Sequence, residues 1–223
     1  MTPYWIKTPQ IIKRLFSNLV WDMPNTENKI YLTFDDGPTP EVTTWVLQLL
    51  KEHNIKATFF CIGKNIVQNS DIYCQILKEN HKVGNHTFNH VNGWKTKTDN
   101  YLQNIALCEN VLATIYEGLN VSKQLEHNKL KQRIFRPPYG KITSLQAKKL
   151  IKQGYKIIMW DILSADFDVN ISKEKCLENA TKKVKSGSII VFHDSDKAFK
   201  NLEYTLPRAI TILKEKGFVF DIL

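Results

Sequence analysis

The feature that most constrains this chain is an alternation: short β-branched and aromatic runs, each followed by a stretch whose apolar residues recur every three to four positions. The runs fall near 30–34, 57–62, 82–86, 133–136, 155–160, 188–193 and 218–222. Helical spacing falls at about 40–53, 65–80, 98–117, 144–153, 172–185 and 203–216, with Val42, Val46, Leu49 and Leu50 inward on the first of these. Strands separated by helices pair in parallel through crossovers, which argues against a sandwich. A distorted α/β barrel of about seven parallel strands is therefore expected, with a doubly wound open sheet as second choice because periodicity does not show closure.

At 223 residues, with 43% hydrophobic and 24% charged residues and no repeat or low-complexity tract, the chain reads as one domain. Its expected division is a lead-in segment over 1–28 and one main domain over 29–223. The lead-in carries an amphipathic pattern: Thr8 can cap a helix starting at Pro9, with Ile11, Ile12, Leu15, Phe16, Leu19 and Val20 on one face and Lys13 and Arg14 off it. A helix covering one end of the core is expected in preference to one lying on a membrane surface. The net charge of +9 comes from scattered lysines without a long basic block, so a solvated surface is expected, and no nucleic-acid motif is present. Cys61, Cys74, Cys108 and Cys176 show no CxxC spacing and read as reduced, mostly buried thiols. Residues 1–24 lack a signal-peptide apolar region and no stretch approaches the ~20 apolar residues of a span, so a cytoplasmic enzyme is the expectation.

Chemistry-bearing residues gather at strand ends. Asp35 and Asp36 end the first run in the stretch IYLTFDDGP, His86 ends the third, Arg136 the fourth, Asp161 the fifth and His193 the sixth. In parallel α/β folds these ends open on one face, so residues dispersed in sequence are expected to meet. Two adjacent carboxylates repel each other in a low dielectric, which suits one held ionised by a cation and one left for proton chemistry. His86 and His90 are four apart, so a helical turn would place both imidazoles on one side. With Asp36 they make a three-ligand set that leaves positions open for water and substrate.

Five stretches, TFDDGP at 33–38, HTFNH at 86–90, RPPYG at 136–140, WDILSADF at 160–167 and IVFHD at 190–194, occur in the order that closely resembles the polysaccharide deacetylases, the NodB-like carbohydrate esterases of family four. The resemblance runs from about Ile30 to the C-terminus. It implies a distorted (β/α) barrel that removes an acetyl group from an N-acetylated sugar with a divalent metal, zinc first and cobalt, nickel or iron as alternatives. Carried over by position, Asp36, His86 and His90 bind the metal and Asp35 takes a proton from the attacking water. Arg136 orients Asp35, the Tyr139 backbone amide helps hold the oxyanion, and His193, held charged by Asp166, protonates the departing amine. Amide hydrolysis needs each of these parts whatever the family.

Two positions depart from the family's pattern: Phe167 stands where Trp is usual and Val191 where Leu is usual. Both keep an apolar wall for the acyl methyl and remove bulk, which bears on acyl preference. Trp160 in the fourth motif and Trp94 just beyond the second join them as substrate-pocket candidates; Trp94 either stacks on a sugar face or packs under its loop. The rival readings are an iron oxygenase built on the same two histidines and carboxylate, and a glycan-binding module that keeps metal but lacks catalysis.

Overall fold

Eight strands and eight helices alternate through residues 4–118 and 133–223, the residues described in the computed structural model. The strands are β1 (Lys29–Asp35), β2 (Thr58–Cys61), β3 (Lys82–Asn85), β4 (Ile134–Phe135), β5 (Lys156–Ile157), β6 (Ile162–Leu163), β7 (Ile189–His193) and β8 (Val219–Asp221). The helices are α1 (Gln10–Leu15), α2 (Val42–Glu52), α3 (Gly63–Gln68), α4 (Ser70–Lys78), α5 (Thr98–Gly118), α6 (Ser144–Lys152), α7 (Lys173–Thr181) and α8 (Asp196–Glu215). All strand pairs are parallel, in the order β5-β4-β3-β2-β1-β7-β6, the curled barrel sheet of about seven strands that the alternation predicts. The eighth strand, β8, pairs with the first half of β1 from Lys29↔Val219, while β2 pairs with its second half from Thr33↔Thr58.

β1 lies at the centre because both its faces are covered, which is why it reads as an almost unbroken apolar run. Ile30, Leu32 and Phe34 are fully buried in the core that includes Val46 and Leu50 of α2 and Leu206 and Ile210 of α8. Tyr31, Thr33 and Asp35 alternate onto the opposite face, inside the curl, where Tyr31 packs with Phe60, Ile134, Ile158 and Ile189. That alternation carries Asp35 inward.

β5 and β6 are the ends of the sheet, and the N-terminal segment lies along both. Val20 N–H donates to Ile157 O at 2.9 Å and its carbonyl accepts from Met159 N–H at 2.7 Å, while Leu163 N–H donates to Ile6 O at 2.8 Å and Thr8 N–H to Asp161 O at 2.9 Å. Otherwise unpaired edge groups are satisfied in this way.

Five expectations are corrected. The apolar run at 155–160 is split: β5 stops at Ile157 and β6 starts at Ile162, so Asp161 precedes a strand instead of ending one. It binds Ser188, just before β7, and thus lies at the end of the sheet opposite Asp35. Thr8 does not cap α1; its hydroxyl donates to Trp160 O at 2.7 Å. The helix is also rotated away from its apolar stripe: Lys13 is buried in ion pairs with Asp161 and Asp22, while Ile11, Leu15 and Phe16 are exposed. Strand-like pairing of Ile6 and Thr8 fixes that rotation before the helix begins. Elsewhere, the helical pattern at 65–80 is two helices broken at Asn69, and the last helix starts at Asp196 instead of about 203.

All four cysteines are free, and only Cys74 is partly exposed. Among the described residues no helix is long and apolar enough to cross a membrane.

Candidate active site

Asp35 is the last residue of β1, and its Oδ1 accepts from Arg136 Nη1 at 2.7 Å. Arg136, just past β4, is completely buried. Its other donors reach Thr33 Oγ1 at 2.7 Å, Met159 O at 2.9 Å and Ile158 O at 3.3 Å, and its guanidinium lies 4.2 Å from the Phe60 ring centre. A buried guanidinium this fully bonded has its fork fixed in direction, and with it one oxygen of Asp35.

Asp36 leaves the strand in left-handed backbone with φ 85°, which turns its side chain away from that of its neighbour. The turn is tied down from three sides: Asn65 Nδ2 donates to Asp36 O at 2.7 Å, Ile62 N–H to Gly37 O at 2.9 Å, and Gly37 N–H to Asp194 Oδ1 at 3.1 Å. A Cβ on Gly37 would fall 2.0 Å from Asp194 Oδ2, so glycine is required there. Burial pushes the Asp194 carboxyl up to about 8, against the hydrogen bonds from Thr43 and Gly37 that favour its charged form.

His86 and His90 do meet, but no helix brings them together. HTFNH is a loop in which Thr87 and His90 have φ of 63° and 54°. Side chains from outside hold it: Asn85 Oδ1 accepts from Thr87 N–H, and Asn104 Oδ1 from Phe88 N–H and Asn89 N–H, each at 2.9 Å. His86 Nδ1–H donates to Arg136 O at 2.8 Å, since a carbonyl only accepts, and this leaves Nε2 as a lone pair. His90 Nδ1 lies 3.1 Å from the Tyr139 hydroxyl, with Nε2 turned to within 3.1 Å of Asp36 Oδ1.

One ligand atom from each of Asp36, His86 and His90 falls within 4.8 Å of the others. Asp36 Oδ1 is buried without a hydrogen-bond partner. Burial would raise the Asp36 carboxyl, yet His90 and the other imidazoles hold it well below the usual carboxylate range. Burial lowers His86 to about 4, so it is neutral near pH 7. An orphaned carboxylate oxygen beside neutral imidazole is a donor set that fits a divalent cation.

His193 ends β7, in register with Asp35 on the neighbouring strand, and lines the same cavity as that cluster. Its Nδ1 is 2.8 Å from Asp166 Oδ1 and its backbone N–H donates to Oδ2 at 2.8 Å, while the Ser164 hydroxyl donates to Oδ1 at 2.9 Å. Burial alone would lower the imidazole, but the Asp166 carboxylate overrides it and lifts His193 to about 9.

A cavity of about 420 Å³ joins these groups. Asp35, Asp36, His86, His90, Tyr139, Trp160, Phe167, Val191 and His193 all line it, whereas Trp94 lies in a neighbouring groove and Asp161 in neither. Five non-glycine residues in or beside the cavity, Asp36, Thr87, His90, Tyr139 and Ala165, have positive φ. Each costs about 1–2 kcal/mol, and such strain persists only where surrounding bonds impose it. Tyr139 is followed by Gly140, where φ is 64° and a Cβ would lie 2.6 Å from the Trp160 ring.

Sequence reasoning missed Tyr4, Asn65, Asn104 and Asp194. Asp194 lies within IVFHD and was open to notice as a motif residue. Tyr4 had no signal: it stands outside every motif, yet it lines the cavity, packs edge-on to Phe167 at 5.5 Å and donates to Asp168 at 2.8 Å.

The family model described as polysaccharide deacetylase matches residues 22–158. A peptidoglycan-N-acetylglucosamine deacetylase of Bacillus cereus is 32% identical over 203 residues, 91% of this chain and 89% of that protein. A chitooligosaccharide deacetylase of Azorhizobium caulinodans is 35% identical over 174 residues, 75% of this chain and 74% of that protein. A crystal structure of a peptidoglycan N-acetylglucosamine deacetylase in complex with 4-naphthalen-1-yl-N-oxidanyl-benzamide superposes with a TM-score of 0.82 at 31% identity, covering 97% of this chain and 95% of that one.

Proposed function

Because the chain belongs to the polysaccharide deacetylase family, we propose that it hydrolyses the acetamido group of an N-acetylglucosamine-type glycan, using a divalent cation held by Asp36, His86 and His90. Zinc is the first candidate, since two imidazoles and one carboxylate with open positions suit it. The observation that carries the reading is one cavity lined by an Arg136-bound Asp35 and an Asp166-bound His193, partners on adjacent strands, together with those three ligands.

A cation bound there supplies Lewis acidity toward both the attacking water and the amide oxygen. Asp35, fixed through Oδ1 by Arg136, takes a proton from the water. The Tyr139 backbone N–H, presented by a left-handed residue, steadies the oxygen on which negative charge develops. His193, charged near neutral pH because of Asp166, gives its proton to the nitrogen as the C–N bond breaks, and the products are acetate and a free amine. Phe167, Val191 and Leu163 supply the apolar wall for the methyl group. A glycan-binding module or an oxygenase would have no use for a fixed base and a charged acid beside the same three ligands.

The test is acetate release from N-acetylglucosamine oligomers and peptidoglycan fragments by zinc-loaded protein. Release that stops on chelation and returns with zinc is expected. A folded, metal-loaded protein releasing no acetate from any of them would overturn the proposal.

A further inference from the structure

The short helix α3 opens directly after β2, the strand that pairs with β1 on one side and β3 on the other. Its first turn therefore emerges between the loop that carries Asp36 and the loop that carries His86 and His90. No side chain caps this helix, so the N–H groups at its start need other acceptors. They find them in both loops. Ile62 N–H donates to Gly37 O at 2.9 Å, Gly63 N–H to Thr87 O at 3.0 Å and Lys64 N–H to Phe88 O at 3.0 Å. Close approach is required for this: a Cβ on Gly63 would fall 2.6 Å from the Phe88 ring and 3.1 Å from Cys108 Cα.

Two asparagines extend the brace with their side chains. Asn65 Nδ2 donates to Asp36 O at 2.7 Å, and Asn69 Nδ2, at the end of the helix, to Pro38 O at 3.1 Å. The Asn65 bond acts on the peptide that joins Asp36 to Gly37, whose N–H donates to Asp194 Oδ1. That peptide is thus held at its oxygen by α3 and at its nitrogen by the residue that follows β7. Fixing it at both ends fixes ψ of Asp36, and the left-handed φ of 85° is kept although it is unfavourable for a residue with a Cβ. The direction of the Asp36 side chain follows from that backbone. It brings Oδ1 within 3.1 Å of His90 Nε2 and 3.6 Å of His86 Nε2, separations that suit ligands around one cation.

We propose that Asn65 is a positioning residue for the metal site, and that α3 acts through it to hold the Asp36 carboxylate at a fixed distance from the two imidazoles. The inference rests on the reading of Asp36, His86 and His90 as metal ligands. Asn65 stands outside all five motifs, and its bond reaches the backbone of a ligand. Removing that bond frees the Asp36–Gly37 peptide to rotate, and a carboxylate that has to be re-ordered when the cation binds holds it more weakly. Asn69 supplies the contrast: its bond reaches Pro38, beyond Asp36, so it ties the turn without orienting the ligand.

The experiment measures zinc affinity by competition with a chromophoric chelator, and the absorption bands of the cobalt-loaded protein, for wild type, Asn65→Ala, Asn65→Asp and Asn69→Ala, with Tm of each metal-free protein. Alanine is a better helix former than asparagine, so Asn65→Ala leaves α3 itself intact. Its zinc affinity should fall about 10- to 100-fold, the scale for losing a partner that orients a ligand, and its cobalt bands should shift. Asn65→Asp keeps the shape, loses the donor and adds a charge that by itself would attract the cation, so the weaker binding expected there isolates the lost bond. Asn69→Ala should lower Tm and leave affinity and cobalt bands at their wild-type values. Asn65→Ala binding zinc as tightly as wild type, or Asn69→Ala weakening binding equally, would overturn the inference and leave the metal reading standing. A wild-type protein that takes up no divalent cation would overturn the metal reading, and the inference with it.

Discussion

Two buried aspartates five residues apart, Asp161 and Asp166, show how one residue type serves opposite ends of the same sheet. Asp161 lies before β6, where its oxygens accept from Lys7, Lys13 and the Ser188 hydroxyl. Asp166 lies after β6, where it accepts from Ser164 and from both the ring and the backbone of His193. Both carboxylates are saturated, and both have a cationic partner. The difference lies in the partner: lysines stay charged across the working pH range, so Asp161 is a clamp for the N-terminal segment, whereas the imidazole beside Asp166 can give up its proton into the cavity. Strand direction decides which is which, because only the carboxyl ends of the strands open onto the site.

The largest effects belong to the cavity end. Asp35→Asn should lower kcat about 10²- to 10⁴-fold, the usual scale for losing a general base, while metal content stays near one equivalent. Asp36→Asn should lose metal and recover part of its activity when metal is added. Metal stoichiometry and kcat in one buffer separate the two, and loss of metal from the Asp35 variant instead would exchange their roles.

Next is Asp166→Asn. In wild type, activity should be present below the His193 pKa of about 9 and be lost as pH rises through it. Without the carboxylate, burial is opposed only by the lesser pull of Asp36 and Asp35, so the alkaline limb should move to lower pH. A limb that stays in place would show that this aspartate does not tune the acid.

Asp161→Ala tests the other side of the comparison. Removing it leaves Lys13 buried without Asp161, which should cost about 3 kcal/mol and lower Tm by about 6–12 °C. The alkaline limb of the remaining folded enzyme should not move. Thermal melts and a pH–rate profile check both, and a displaced limb would erase the distinction between the two ends. The smallest effect is expected from Lys7→Met: its side chain is one quarter exposed and Asp161 keeps Lys13 and Ser188, so the loss should stay within about 1 kcal/mol by chemical denaturation.

The strand-helix alternation and the five motifs were readable because they are local. Apolar period is set by neighbours a few residues apart, and Asp35, Asp36, His86, Arg136 and His193 stand next to strand ends whatever the final curvature. Where reading failed, the deciding contact was distant in sequence. Asp161 looked like the end of one strand because nothing local marks the break between β5 and β6, which is imposed by the N-terminal segment pairing there. Lys13 looked solvated because its buried partner, Asp161, is 148 residues away. The histidines were expected on a helical turn, and a loop with two left-handed residues joins them, stabilised by Asn104 from α5.

What the sequence by itself determined is therefore the set of elements, the parallel sheet they make and the identity of the groups at its carboxyl edge, because backbone period and strand termini follow from residues in immediate succession. Only the tertiary structure decided which carboxylate faces the cavity and which clamps the chain, which imidazole nitrogen is left free, and that Tyr4 belongs to the cavity. Those outcomes depend on contacts between segments up to 164 residues apart, such as Tyr4 with Asp168, whose formation is governed by burial and by the pairing of otherwise unsatisfied backbone groups.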